Sequence, residues 1–111
     1  MKIIKNLENL LARGQDSALL RFSIGSAYLK QAEFSKAIEH LSRAVEMDSN
    51  QSAAWKLLGK SLAANEQYAD ARNAFEKGIA VAEKKGDIQA KREMQVFLKR
   101  LDKAEQESQN H

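Results

Sequence analysis

Similar residues recur in this sequence when it is shifted by 34 positions. The aligned pairs are Arg21 with Trp55, Ile24 with Leu58, Gly25 with Gly59, Tyr28 with Leu62, Phe34 with Tyr68, Ala37 with Ala71, Leu41 with Phe75, and Ala44 with Gly78. A fixed period of roughly 20–50 residues is the signature of repeat proteins, in which each copy is one small supersecondary unit. The sequence therefore predicts two copies of such a unit, over residues 18–51 and 52–85.

The residues within each copy favour helices. Alanine, leucine, lysine, glutamate and glutamine, which are good helix formers, dominate the 111-residue chain, and proline is absent. Apolar residues recur three and four positions apart, as on one face of a helix. We therefore predict an all-α fold of about six helices, arranged as antiparallel helical hairpins. The predicted helices span about 2–13, 17–30, 34–47, 52–64, 68–83 and 87–106.

Short polar residues and glycines mark the ends of several predicted helices. Asp16 and Ser17 are both candidates to cap the second helix, because their side-chain oxygens can accept a hydrogen bond from an unpaired backbone N–H. Asp87 stands in the same position before the last helix. Gly14 and Gly86 follow predicted helices, where glycine readily adopts the left-handed conformation that ends a helix.

Three other glycines, Gly25, Gly59 and Gly78, lie inside predicted helices. Glycine at such a position costs about 1 kcal/mol relative to alanine. We interpret these glycines as points where two helices approach so closely that a side chain would clash.

Two runs of residues, from Ala27 to Glu39 and from Ala54 to Lys60, resemble the consensus of the tetratricopeptide repeat family. The resemblance implies an α–α superhelix, a right-handed stack of antiparallel helical hairpins. The sequence departs from the consensus at the usual tryptophan, turn-glycine and proline positions. Those positions hold Arg21, Ala32, Glu66, Ser49 and Glu83.

The length of 111 residues predicts a single domain over residues 1–111. Residues 1–14 correspond to the second helix of an incomplete repeat, and residues 87–106 correspond to a capping helix with one polar face. Residues 107–111 are expected to form a frayed tail, because they are all polar.

The sequence contains few groups that could carry catalysis or bind a metal. Cysteine is absent, and there are two histidines: His40, which the repeat frame places on the outer, solvated side of its helix, and His111 at the end of the sequence. Carboxylates alternate with lysines along the helices, as is usual on solvated faces, and no glycine-rich phosphate loop is present. We therefore predict a protein without catalytic activity, cofactor or metal.

The family resemblance implies that the first helix of each repeat lines a concave groove that binds a peptide or a partner protein. In the first repeat, the groove positions are Leu19, Phe22, Ser23, Ser26, Leu29 and Lys30. In the second repeat they are Ala53, Lys56, Leu57, Lys60, Ala63 and Ala64, and Asp87, Lys91 and Arg92 follow from the last helix.

This predicted groove combines apolar residues at one end with a cluster of four lysines, Lys30, Lys56, Lys60 and Lys91. Apolar anchors supply affinity and complementary charge supplies selectivity, so we expect a partner with both apolar and acidic residues. The alternative is that the lysines serve solubility alone and that the apolar residues contact the flanking helices.

One subclass of the family grips a C-terminal carboxylate through fixed lysine, asparagine and arginine positions. The matching positions here hold Phe22, Ser26, Leu57, Asp87 and Lys91, of which Lys91 alone is compatible. We therefore do not expect that activity.

Two other functions are open at this stage. The exposed end faces of a short repeat array could pair two copies of the chain, giving a self-assembling scaffold and a weak homodimer rather than a monomer. Basic residues in the last helix could bind nucleic acid, although the net charge of +3 is small and aromatic residues are few there.

The sequence also predicts the compartment. No apolar run approaches the roughly 18–20 residues needed to cross a bilayer, and the first residues lack the apolar centre of a signal peptide. We expect a cytoplasmic protein with no membrane contact.

Overall fold

The computed structural model of the protein describes residues 2–109, and this part of the chain forms six α-helices and no strand. The all-α fold and the number of helices are as predicted. The bounds of the second, third and fourth helices agree with the prediction to within one residue. The helices are α1 (Lys2–Ala12), α2 (Ala18–Lys30), α3 (Phe34–Met47), α4 (Ser52–Ala64), α5 (Tyr68–Lys85) and α6 (Ile88–Gln109).

The last helix is longer than predicted. We expected it to end at residue 106 and to be followed by a frayed tail, but α6 continues to Gln109, so that prediction is wrong for residues 107–109. Arg72 of α5 binds α6 shortly before this extension, because its guanidinium contacts Asp102 at 2.7 Å and Glu105 at 3.4 Å. Residues 110 and 111 lie outside the described residues.

Five of the six helices form two layers. Connections of three residues join α2 to α3 and α4 to α5, so the two helices of each pair run antiparallel and pack along their lengths. In addition, α2 contacts α4, and α4 contacts α6. The helices α2, α4 and α6 are therefore successive members of one layer, while α3 and α5 lie behind them. The first helix, α1, packs against α2.

Three glycines bring neighbouring helices into close contact, as predicted. A β-carbon built on Gly25 of α2 would lie 2.6 Å from Leu41 Cγ, and one built on Gly59 of α4 would lie 2.5 Å from Phe75 Cε1. Gly78 of α5 repeats this contact with the next helix, where a β-carbon would lie 2.5 Å from the sulfur of Met94. Each of these partners is almost fully buried, so the glycines set the distance between helices at the centre of the core.

Four of the helices end in the same way, although their sequences differ. A residue one or two positions after the helix has a positive φ, which is 82° at Gly14 and 73° at Gly86 but also 58° at Ala32 and 62° at Glu66. The next N–H then bonds to the carbonyl five residues earlier, which defines a Schellman motif. These bonds run from Gln15 to Leu10, from Glu33 to Tyr28, from Gln67 to Leu62 and from Asp87 to Ala82, with N···O distances of 2.8–3.1 Å.

Two of the predicted caps are present. Ser17 Oγ accepts a hydrogen bond from the backbone N–H of Leu20, and Asp87 Oδ1 accepts one from the N–H of Ala90. The other candidate, Asp16, instead binds Arg21 through both carboxylate oxygens, at 2.9 and 3.1 Å. This hydrogen bonding lowers the pKa of Asp16 below its usual value.

The contact at Gly59 gives a test of the helix spacing. We expect Gly59→Ala to destabilise the protein by roughly 1–3 kcal/mol, because its methyl group would overlap the buried ring of Phe75, which is itself stacked on Phe97. Urea unfolding followed by circular dichroism measures this change. An increase in stability of about 1 kcal/mol, as expected for glycine to alanine on an open helix face, would contradict the close contact.

Candidate functional site

All of the predicted groove residues remain half-buried or exposed. In α2, the buried residues Leu20, Ile24 and Tyr28 belong to the core. The predicted groove positions alternate with them in the sequence and so lie on another side of the helix. This exposure is what positions on the face of the layer of α2, α4 and α6 that α3 and α5 do not cover would show. The exposed ones are Leu19, Lys30, Ala53, Lys60, Ala64, Asp87 and Arg92, and the half-buried ones are Phe22, Ser23, Ser26, Leu29, Lys56, Leu57, Ala63 and Lys91.

A cleft of about 260 Å³ opens where α2, the end of α3 and the start of α4 meet. We call it the first cleft. Its floor contains Ala44 and Ala54, each 1% exposed, and the half-buried ring of Phe22 forms part of its wall. Leu19 stands at its edge with 75% of its surface exposed, the most of any large apolar residue among residues 3–109. The first cleft is thus an apolar hollow with an uncovered leucine beside it.

Two polar residues that sequence reasoning did not select also line the first cleft. Asp48 and Gln51 come from the turn between α3 and α4, which we had interpreted only as a helix boundary. The Asp48 carboxylate accepts hydrogen bonds from Gln51 Nε2 and from the N–H of Asn50, both at 3.0 Å. These bonds lower the pKa of Asp48, so the carboxylate is anionic at neutral pH. The spacing Asp-x-x-Gln after a helix was the available signal.

A second cleft, of about 300 Å³, lies at the opposite end of α4, where that helix meets α5 and α6. Lys60, Ala63 and Ala64 come from the predicted groove, and Phe97 and Arg100 of α6 lie opposite them. A smaller hollow near the starts of α4 and α6 contains Ala53, Lys56 and Asp87. The remaining predicted positions line none of these three clefts; they are Ser23, Ser26, Leu29, Lys30, Leu57, Lys91 and Arg92.

The four groove lysines differ in their partners. Lys56 of α4 makes an ion pair with Glu93 of α6 at 3.0 Å, and its hydrogen bond lowers the pKa of Glu93. Lys91 pairs with Glu83 at 3.4 Å. Lys60 instead lies over the ring of Phe97, with its Nζ 5.3 Å from the ring centroid. Two of the four positive charges are thus already matched by carboxylates of the chain itself.

His40 is not on a solvated surface, and that prediction was wrong. It is 8% exposed, its ring stacks on Tyr28 with centroids 5.7 Å apart, and its Nδ1 lies 3.2 Å from Nη1 of Arg21. Because a guanidinium can only donate, Nδ1 accepts and the ring is neutral. The repeat frame did not predict the burial of His40, because Arg21 replaces the usual aromatic residue. The guanidinium of Arg21 is a donor, and His40 Nδ1 is the acceptor beside it. His111, the other histidine, lies outside the described residues.

Within residues 2–109 no group of three or more histidine, aspartate or glutamate side chains is placed to hold a metal ion. The same part of the chain contains no helix that is both long enough and apolar enough to cross a membrane.

Repeated antiparallel hairpins, Schellman turns and glycine contacts at fixed spacing define an α-helical repeat protein. The sequence pattern of the tetratricopeptide repeat matches residues 4–52 and again residues 22–88. The chain belongs to the tetratricopeptide repeat family, as predicted, and repeats of this family generally mediate interactions between proteins.

Two relatives support this assignment over nearly the whole chain. A TPR repeat-containing protein of Pseudomonas aeruginosa is 51% identical over 102 residues, which are 92% of this chain and 97% of the relative. The solution structure of a protein from Bordetella parapertussis is 42% identical and superposes with a TM-score of 0.81, covering 98% of this chain and 95% of the other.

Burial of His40 makes stability depend on pH. Burial, followed by the charge of Arg21, lowers the pKa of His40 in the folded protein, against smaller opposite effects of Glu39, Glu8 and Asp16. Below the usual histidine pKa of about 6.5, the unfolded chain therefore binds more protons than the folded one. We expect full stability above that pH and a loss as the pH falls through the folded pKa.

Urea unfolding at pH 7.5 and pH 5 measures this loss, with His40→Phe as the control that keeps an aromatic ring on Tyr28. The control should lose less stability than the wild-type chain over the same pH interval. An equal loss in both proteins would show that His40 does not contribute.

Proposed function

We propose that this protein is a non-catalytic interaction module that binds a peptide, or an exposed segment of a partner protein, on the face of α2, α4 and α6. The observation that carries the proposal is the first cleft, an apolar hollow beside which the side chain of Leu19 is largely exposed. Apolar surface left exposed beside a hollow is the common mark of a site where another molecule binds.

The dimensions of the first cleft favour a side chain over a whole small molecule. Its volume of about 260 Å³ is below the roughly 300–1,000 Å³ typical of small-molecule sites. An apolar side chain from the partner would fill it and cover Leu19, which removes apolar surface of both molecules from water. The floor is already buried in the core, so binding requires little rearrangement of the helices.

Charge then adds selectivity at the edges of the face. The anionic Asp48 lies at the first cleft, whereas Lys60 and Lys30 have no carboxylate within ion-pair distance among residues 2–109. Lys56 and Lys91 contribute less than the sequence implied, since each is paired within the chain. Preference for an acidic partner therefore depends on the lysines that are not paired.

Leu19→Glu tests the first cleft directly. The side chain is 75% exposed, so the substitution should leave the fold intact, while the added carboxylate opposes an apolar partner. Affinity capture from a cell extract, followed by calorimetry with the purified partner, should show at least a tenfold loss of affinity, about 1.4 kcal/mol.

Ile3→Glu is the matched control, because Ile3 is a similarly exposed apolar residue, 61% exposed, on α1, which is not one of the three helices of the proposed face. It should bind as the wild-type chain does. Equal binding by Leu19→Glu and the wild-type chain would contradict the proposal. A change at Lys56 would be a poorer test, because it breaks the ion pair between α4 and α6.

Self-assembly is a second candidate, favoured by one observation on α6. Ile88 is 61% exposed and Val96 is 46% exposed, and both lie with Arg92 and Glu93 around a wide, shallow hollow. Pairing of two copies through this surface would cover both apolar residues. Sedimentation equilibrium should then show a dimer that Val96→Glu abolishes, and a wild-type chain that stays monomeric at high concentration would exclude this candidate.

A further inference from the structure

The second cleft differs from the first in the chemistry of its rim. It lies between the last two turns of α4 and the C-terminal half of α6, with Ala63 and Ala64 on one side and Ala104 on the other. The small side chains at these positions leave the hollow open, because methyl groups do not span the gap between the two helices. Its apolar lining therefore remains accessible from the proposed binding face.

An aromatic ring fixes the position of the rim. Phe97 stacks on the buried ring of Phe75, with centroids 5.6 Å apart, so its orientation is set by the core. Lys60 and Arg100 both lie near this ring, with Lys60 Nζ 5.3 Å and Arg100 Cζ 5.9 Å from its centroid. A cation over a ring is held in place without losing its charge. The two positive charges are thus gathered at one cleft.

These two charges have no carboxylate partner within ion-pair distance among the residues that the structure describes. Arg72 of α5 differs from them, because it is paired with carboxylates. The carboxylates of the last turns of α6, Asp102 and Glu105, are both held by Arg72 from α5. These two carboxylates are therefore paired with α5, and Lys60 and Arg100 remain as two exposed cations at the cleft between α4 and α6.

We propose that the second cleft is a carboxylate-binding site for a peptide segment in which an aspartate or a glutamate adjoins an apolar residue. The guanidinium of Arg100 can bind both oxygens of a carboxylate, while Lys60 adds a point charge from the other helix. The neighbouring apolar side chain enters the hollow lined by Ala64, Phe97 and Ala104. The site requires both chemical features, because the cations stand at the rim and the apolar surface lies below them.

This inference rests on the proposed function, since it names the chemistry of a partner on the same face. It also assigns the preference for an acidic partner, which the sequence predicted for the four groove lysines, to a different set of residues. Lys56 and Lys91 are paired with carboxylates of the chain, and Arg100, which the sequence did not select, takes their place beside Lys60.

A random peptide display library selected on the immobilised full chain tests the site. Enriched peptides should carry an aspartate or glutamate next to an apolar residue. Fluorescence anisotropy then measures their affinity for the wild-type chain and for Lys60→Gln/Arg100→Gln, where we expect a loss of about tenfold. The matched control is Lys99→Gln/Lys103→Gln, which removes two exposed cations of α6 outside the cleft and should change affinity less than about twofold.

A substitution in the peptide separates a direct contact from a general effect of charge. Replacing its acidic residue by the corresponding amide should weaken binding to the wild-type chain, but not to Lys60→Gln/Arg100→Gln, because that variant has already lost the contact. Equal losses in the two double variants would overturn the proposal. Absence of acidic residues among the enriched peptides, or absence of any enriched peptide, would overturn it as well.

Leu19→Glu distinguishes failure of this inference from failure of the proposed function. Peptides that need Leu19 but not Lys60 and Arg100 would leave the first cleft in place and refute the second. Peptides that need Lys60 and Arg100 but not Leu19 would establish the second cleft and refute the first. Peptides that need neither would refute both.

Discussion

The contact between a helix glycine and a large side chain of the next helix determines the geometry of this protein. Gly25 meets Leu41, Gly59 meets Phe75 and Gly78 meets Met94. Because each side chain packs directly on a backbone, consecutive helices lie close together and their relative position is constrained at the centre of the core. The contact joins α2 to α3, α4 to α5 and α5 to α6, so it recurs in both hairpins and at the last helix.

The short turns make the same arrangement possible without the residues that usually form them. Ala32 and Glu66 adopt the left-handed conformation that glycine adopts at Gly14 and Gly86. A residue with a β-carbon is less stable there by about 1–2 kcal/mol, but the paired hydrogen bonds and the packing of the two helices offset that cost. The hairpins are therefore specified by their core contacts more than by their turns.

Charge distribution distinguishes the two ends of the proposed binding face. Ion pairs from Lys56 to Glu93 and from Arg72 to Asp102 join α6 to α4 and to α5. These pairs stabilise the end of the array and remove those charges from the binding surface. At the clefts themselves, the charges that remain are the anionic Asp48 at the first and the cations Lys60 and Arg100 at the second. A peptide that reached both clefts would therefore bind in one direction.

The fold could be predicted almost entirely from the sequence, because it depends on local and periodic features. The 34-residue period, the helical spacing of apolar residues and the three helix glycines each act through neighbours that recur at fixed separations. The caps at Ser17 and Asp87 are local in the same sense, since each bonds to a backbone N–H three residues ahead.

Only the tertiary structure decided which polar side chains are partnered. The burial of His40 depends on Tyr28 and Arg21 from another helix, and the pairing of Lys56 depends on Glu93, which is 37 residues away. Arg100 joins Lys60 because α6 packs against α4, a contact that no local pattern encodes. The sequence by itself determined the helices and their order, since backbone preference and hydrophobic spacing are short-range. The pairing of the charged groups was not determined in this way. These groups lie at the ends of long, flexible side chains, so their partners depend on the distances between helices.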